Sequence, residues 1–127
     1  MKVTKIITSI GITVTYEPIN IKKTFTNIDG GIYVFIDLED IKEKTDIVVK
    51  WYDAKHKELI SLVFELSGKQ SADTIINYTN YESFKGLDPD DFGLWSIEVW
   101  HHDQIIGRNE FIVKNVSFTY SPGSVLK

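Results

Sequence analysis

Few residues of this chain could do chemistry, and they fall in three places. The first is His101-His102-Asp103, with His56 further back and no other histidine in the sequence. Imidazole nitrogens and a carboxylate suit zinc. Neighbouring side chains on a strand point to opposite faces, so such a site needs the pair at a hairpin tip and His56 at the same end of the molecule. The plainer expectation is solvated turn residues. The second place is Asp88-Pro89-Asp90-Asp91. Clustered carboxylates hold calcium, which takes roughly six to eight oxygen ligands. The spacing lacks the central glycine and terminal glutamate of a calcium loop, and a turn whose aspartates accept backbone N–H bonds accounts for it as well. The sequence leaves calcium open here. The third is Glu98, the one carboxylate in the middle of a well-marked strand. A glycosidase needs two carboxylates across a cleft. Glu98 is expected instead to be solvated and paired across strands with Lys50 or Lys114.

Recognisable catalytic motifs are absent. No serine sits in a Gly-x-Ser-x-Gly elbow, and there is no His-Glu-x-x-His, phosphate loop or dinucleotide fingerprint. The expectation is therefore a protein without catalytic residues, resident metal or cofactor. Asn77-Tyr78-Thr79 and Asn115-Val116-Ser117 match the N-glycosylation pattern, as chance allows in a chain rich in Asn, Ser and Thr.

The elements that must position these residues read as strands. The chain has 127 residues, 43% hydrophobic and 13% aromatic, enough for one domain, 1–127, with its own core. A formal net charge of −4 gives no surplus to neutralise phosphates, so nucleic acid is not an expected partner. Cysteine is absent, which excludes thiolate metal sites and Cys nucleophiles. No apolar run reaches the ~20 residues of a transmembrane helix. The opening residues lack the pattern of a signal peptide and leave the compartment unknown.

Alternation with a period of two marks the strands. It runs over 3–16 and breaks at Glu17-Pro18, with an edge segment following over 19–25. It returns over 31–38 with Ile32, Val34, Ile36 and Leu38 inward, and over 45–53 with Ile47, Val49 and Trp51 inward. Residues 58–66 place Ile60, Leu62, Phe64 and Leu66 on one face. Residues 73–82 are weaker and rich in Tyr and Asn. The strongest signal is the hairpin over 92–113, where Trp95, Ile97 and Val99 alternate before a short polar turn. The stretch 115–127 reads as an irregular tail. About seven strands with evenly spaced turns predict an all-β antiparallel sandwich.

Trp51, the run Leu87-x-Pro89 and Trp95-x-Ile97-x-Val99 resemble the core pattern of immunoglobulin-like and fibronectin-type-III-like sandwiches. The closing pattern, Gly93-x-Trp95-x-Ile97-x-Val99 and then Ile106-Gly107 with Phe111-x-Val113, is similar to that of uncharacterised bacterial and archaeal sandwich domains. The sequence departs from that pattern in having no Cys pair between sheets and in placing Phe92-Gly93 between the Leu-x-Pro corner and the tryptophan. The resemblance implies a fold; such folds host many functions.

Parity then selects a face. With Trp95, Ile97 and Val99 inward, Leu94, Ser96, Glu98 and Trp100 turn outward. The paired strand adds Val48, Lys50 and Tyr52, and the last strand adds Ile112. Exposed apolar and aromatic residues rimmed by charge suit a protein contact. The expected partner-binding residues are Trp100, Tyr52, Leu94, Val48, Ile112 and Lys50. The expected role is a binding or assembly module that contacts proteins, including copies of itself. The long first and last strands are the expected free edges. The alternative is a carbohydrate-binding module, taking a glycan on exposed Tyr and Trp with Asn77 and Asn80 beside them.

Overall fold

The computed structural model describes residues 1–80, 84 and 86–116. Nine strands follow in chain order: β1 (Lys2–Ile12), β2 (Pro18–Ile21), β3 (Thr24–Thr26), β4 (Gly31–Ile41), β5 (Thr45–Tyr52), β6 (Glu58–Leu66), β7 (Gln70–Asn80), β8 (Gly93–His101) and β9 (Gln104–Lys114). They form a four-stranded sheet, β2-β1-β4-β7, and a five-stranded sheet, β3-β9-β8-β5-β6. All pairings are antiparallel except β3 with β9, which is parallel. The two strands beyond the expected seven are the short β2 and β3, into which the 19–25 edge segment divides.

Alternation built the core as read. Ile32, Val34, Ile36 and Leu38 of β4 face Ile47, Val49 and Trp51 of β5 and Trp95, Ile97 and Val99 of β8, all with 0% exposure. Phe111 sits at the centre, with its ring centroid 5.8 Å from Phe25, 5.6 Å from Trp51 and 6.4 Å from Trp95. Edge-to-face contacts of this kind add to the burial of area. A polar bridge joins the sheets within this core. The Trp51 indole Nε1 of β5 donates to Asn77 Oδ1 of β7 at 2.7 Å. Asn77 is almost wholly buried, so the sequon at 77–79 presents no accessible amide.

Local chemistry sets the turns. β1 ends at Ile12 because Thr13 Oγ1 accepts from the N–H groups of Thr15 and Glu17, while Tyr16 adopts φ 64°. The alternation through Val14 and Tyr16 therefore does not continue as strand, and both side chains project into solvent. Residues Asn27–Asp29 form a single 3-10 turn capped by Thr26, and Gly30 at φ 82° closes it. The β8–β9 hairpin turns on His102 and Asp103, at φ 48° and 63°. Two consecutive left-handed residues match the right-handed twist of the strands. β1 and β9 are both paired on two sides. The expectation that the first and last long strands would be free edges is thus corrected in part: β2 pairs with β1 over Ser9–Ile12 and β3 with β9 over Ile112–Lys114.

Candidate protein-contact face

The outer face of the five-stranded sheet carries all six expected contact residues. Leu94 stands opposite Ile112, Ser96 between Tyr52 and Glu110, Glu98 between Lys50 and Arg108, and Trp100 between Val48 and Ile105. The face is apolar at both ends and polar in the middle. At one end Leu94 is 55% exposed and Ile112 37%. At the other, half-buried Trp100 and Val48 continue onto Val63 of β6, which is 64% exposed. The parity of 58–66 implied Val63, since its neighbours Leu62 and Phe64 point inward.

The polar middle differs from the sequence expectation. Glu98 is almost wholly buried although its strand position faces outward. Trp100 Nε1 donates to its Oε1 at 3.1 Å, and Arg108 Nε lies 4.0 Å from its Oε2. Tyr52 lies close enough to Glu98 to feel its charge. Its hydroxyl is pushed above its ordinary pKa, first by burial and then by the Glu98 charge. Lys50 sits directly across from Glu98 but does not pair with it. Its Nζ lies 4.9 Å from the centroid of the Trp100 ring and 3.6 Å from Glu58. An ammonium over an indole is worth about 0.5–1 kcal/mol at a surface. The large rings and the arginine stem thus cover a carboxylate that the sequence placed in solvent.

Beside Trp100 the face opens into a groove of about 650 Å³. Val48, Lys50 and Trp100 line it, together with Lys44, Asp46 and Glu65 on one side and His102 and Asp103 on the other. The lining thus joins charges of both signs to two apolar side chains, Val48 and Trp100.

The two sites considered for metals resolve differently. His56 lies in the β5–β6 turn. Because β5 and β8 run antiparallel, with Tyr52 opposite Ser96 and Val48 opposite Trp100, that turn is at the Gly93 end of the sheet, away from His101 and His102. His101 and His102 bring their rings within 3.9 Å of each other, but His56 cannot join them, and the arrangement with His56 is not formed. His56 stacks on Tyr52 at 4.6 Å, and His101 Nε2 is 3.1 Å from Thr45 Oγ1. Asp88, Asp90 and Asp91 do bring oxygens within 4.8 Å of one another. Lys55 Nζ already meets Asp91 Oδ1 at 2.6 Å and Asp90 Oδ1 at 3.5 Å. The Asp88 N–H donates to Asp91 Oδ2 at 2.7 Å. The Lys55 hydrogen bond holds the Asp91 carboxyl below its ordinary pKa and raises that of Lys55. The lysine supplies the positive charge, and the turn Pro89–Asp91 anchors the core, its Asp91 carbonyl accepting from Trp95 Nε1 at 2.8 Å.

The aromatic platform required for sugar stacking is not formed by the described residues. Trp51 and Trp95 have 0% exposure. Trp100 lies beneath Lys50. Tyr33 and Tyr78, on the outer face of the four-stranded sheet, pack on each other at 4.4 Å rather than side by side.

No protein-family model and no curated protein sequence matches this chain. Solved structures do. An immunoglobulin-like protein from Pseudomonas aeruginosa superposes with a TM-score of 0.57 at 11% identity, over 89% of this chain and 95% of the other. The Pseudomonas fluorescens alkylpurine DNA glycosylase AlkC, solved with DNA containing an abasic site analog, gives 0.53 at 12% identity, over 89% of this chain and 30% of the glycosylase. A β-glucosidase from Listeria innocua in complex with isofagomine gives 0.50 at 16% identity, over 87% of this chain and 16% of the enzyme. This chain therefore spans under a third of each of those two enzymes. The sheet topology and these likenesses define the class: the chain is an immunoglobulin-like β-sandwich.

Proposed function

We propose that this sandwich is a non-enzymatic module that contacts other proteins through the outer face of its five-stranded sheet. The observation that carries the reading is the groove floored by Trp100 and Val48. It joins a large aromatic side chain to a ring of charges of both signs, the mixture that favours a protein surface over a phosphate or a sugar. Leu94 and Ile112 extend the contact at the far end, and Tyr52 and Lys50 connect the two. The immunoglobulin-like fold supports the reading as a frequent carrier of binding and assembly modules; by itself it assigns no activity.

The test compares the wild type with Trp100→Ser and Lys50→Glu, each checked for an unchanged circular dichroism spectrum. A protein recovered by the wild type, or a self-associated species of it, is expected to bind Trp100→Ser about thirtyfold more weakly, the effect of losing a ~2 kcal/mol anchor. Equal binding by wild type and both variants would remove this face from the contact.

A further inference from the structure

Among the described residues the two sheets end at β2, β3, β6 and β7, and three of these strands carry devices that discourage pairing. Edge strands are usually protected by proline, charge, irregular backbone or brevity. β2 contains Pro18 and the left-handed Asn20, at φ 55°. β3 is three residues long. β6 carries Glu58 and Glu65, and its register with β5 shifts at Trp51/Tyr52. Of these devices β7 carries only a single charge. It runs for 11 residues, QSADTIINYTN, with Asp73 as its one charged side chain and without Lys, Arg, Pro or Gly. Its pairing with β4 keeps a constant register from Asn80 to Gln70. Among the described residues no second strand pairs with it.

The core is also thinly covered along this flank. The Trp51–Asn77 bond places β7 against β5, whose outer neighbour in the sheet is β6. On β6 the inward-facing Leu62 is 39% exposed, and Ile60 and Phe64 are only half-buried, as is the inward Ile75 of β7. One strand further in, every inward residue of β5 from Ile47 to Trp51 is fully buried. Among the described residues, a strand side that no second strand pairs and an incompletely covered apolar seam thus coincide.

We propose that β7 pairs with β7 of a second copy, antiparallel, fusing the two four-stranded sheets into one. Open backbone N–H and C=O groups select an extended strand as the occupant, and a two-fold axis suits this strand in particular. Centred on Ile75, the pairing sets Asp73 against Asn77 of the partner subunit, so the two carboxylates never meet. The same axis brings the Leu62 and Phe64 flank of one copy towards the equivalent flank of the other, so each seam is answered by an identical one. A contact related by such an axis is closed, and it ends at a dimer. The inference shares with the proposed function only the premise that the module associates with protein, and it uses a different surface.

Size-exclusion chromatography with light scattering at high micromolar concentration tests it. The wild type is expected at twice the chain mass of 14.6 kDa. The double variant Ala72→Lys/Thr74→Lys, at two exposed positions of β7, is expected at the single-chain mass with an unchanged circular dichroism spectrum. Trp100→Ser is expected to remain dimeric. A monomeric wild type overturns the inference, as does a double variant that keeps the doubled mass. A dimer dissolved by Trp100→Ser alone also overturns it and leaves the outer-face reading standing. Should the double variant misfold, hydrogen exchange of the wild type decides. β7 amides gaining protection as concentration rises support the pairing, and protection independent of concentration refutes it.

Discussion

Individual side chains in this protein divide into those whose polarity is buried for structure and those held ready at the surface. The Trp51–Asn77 bond belongs to the first group. Asn77→Ala strands the indole N–H in the core and is expected to cost about 1–3 kcal/mol, read from urea unfolding. Phe111→Ala removes the ring shared by Phe25, Trp51 and Trp95, with an expected loss of about 3–5 kcal/mol. His101 adds a pH dependence. Burial disfavours its charged form, and His102 and the Met1 amino group repel it further, against a weaker pull from Glu43. Its folded pKa therefore lies below the ordinary 6.5, and the unfolded chain binds the proton more readily. The stability this represents is complete above 6.5 and is lost as pH falls from there through the folded pKa. Melting temperature is expected to fall between about pH 8 and about pH 5, and His101→Gln is expected to flatten that slope.

Strands were the most legible level of the sequence. Period-two alternation located β4, β5 and β8 with the correct faces inward, because both ends of each strand are fixed by side chains with nowhere else to go. The same rule failed at Val14 and Tyr16, where Thr13 hydroxyl bonds close a turn that hydrophobic periodicity cannot register. It also failed at Glu98. Parity placed this residue outward correctly, but exposure depends on the neighbours across the sheet, and Trp100, Tyr52 and Arg108 are large enough to cover it. The six contact residues share one face because a tight turn sets the β8–β9 register and the long-range pairing of β5 with β8 keeps the same parity. The metal alternatives depended on which turns share an end of the sheet, and that information lies in topology alone. Contacts between elements bring one further prediction. Gly107 of β9 faces Val3 of β1 so closely that an added Cβ would lie 2.8 Å from the Val3 Cβ. Gly107→Ala is expected to force the two sheets apart locally and to cost about 1–3 kcal/mol, measured by thermal unfolding.

For the whole molecule, the two sheets present different opportunities. One offers a face, with the Trp100 groove at its centre of interest; the other offers an edge, along β7. Neither requires the other, so the separate variants described for each divide cleanly between them. Among the described residues no helix is long and apolar enough to cross a membrane. The parallel pairing of Thr24, Phe25 and Thr26 with Ile112, Val113 and Lys114 has a consequence in time rather than in space. Residue 24 must wait for residue 112, and the Asn27–Val116 hydrogen bonds, spanning 89 positions, close the same loop. The entropy of that closure is spent before its contacts return anything. Folding is therefore expected to be slow for a chain of this length, in the millisecond-to-second range of non-local β topologies. During biosynthesis β3 can dock on β9 only after nearly the whole described chain has left the ribosome.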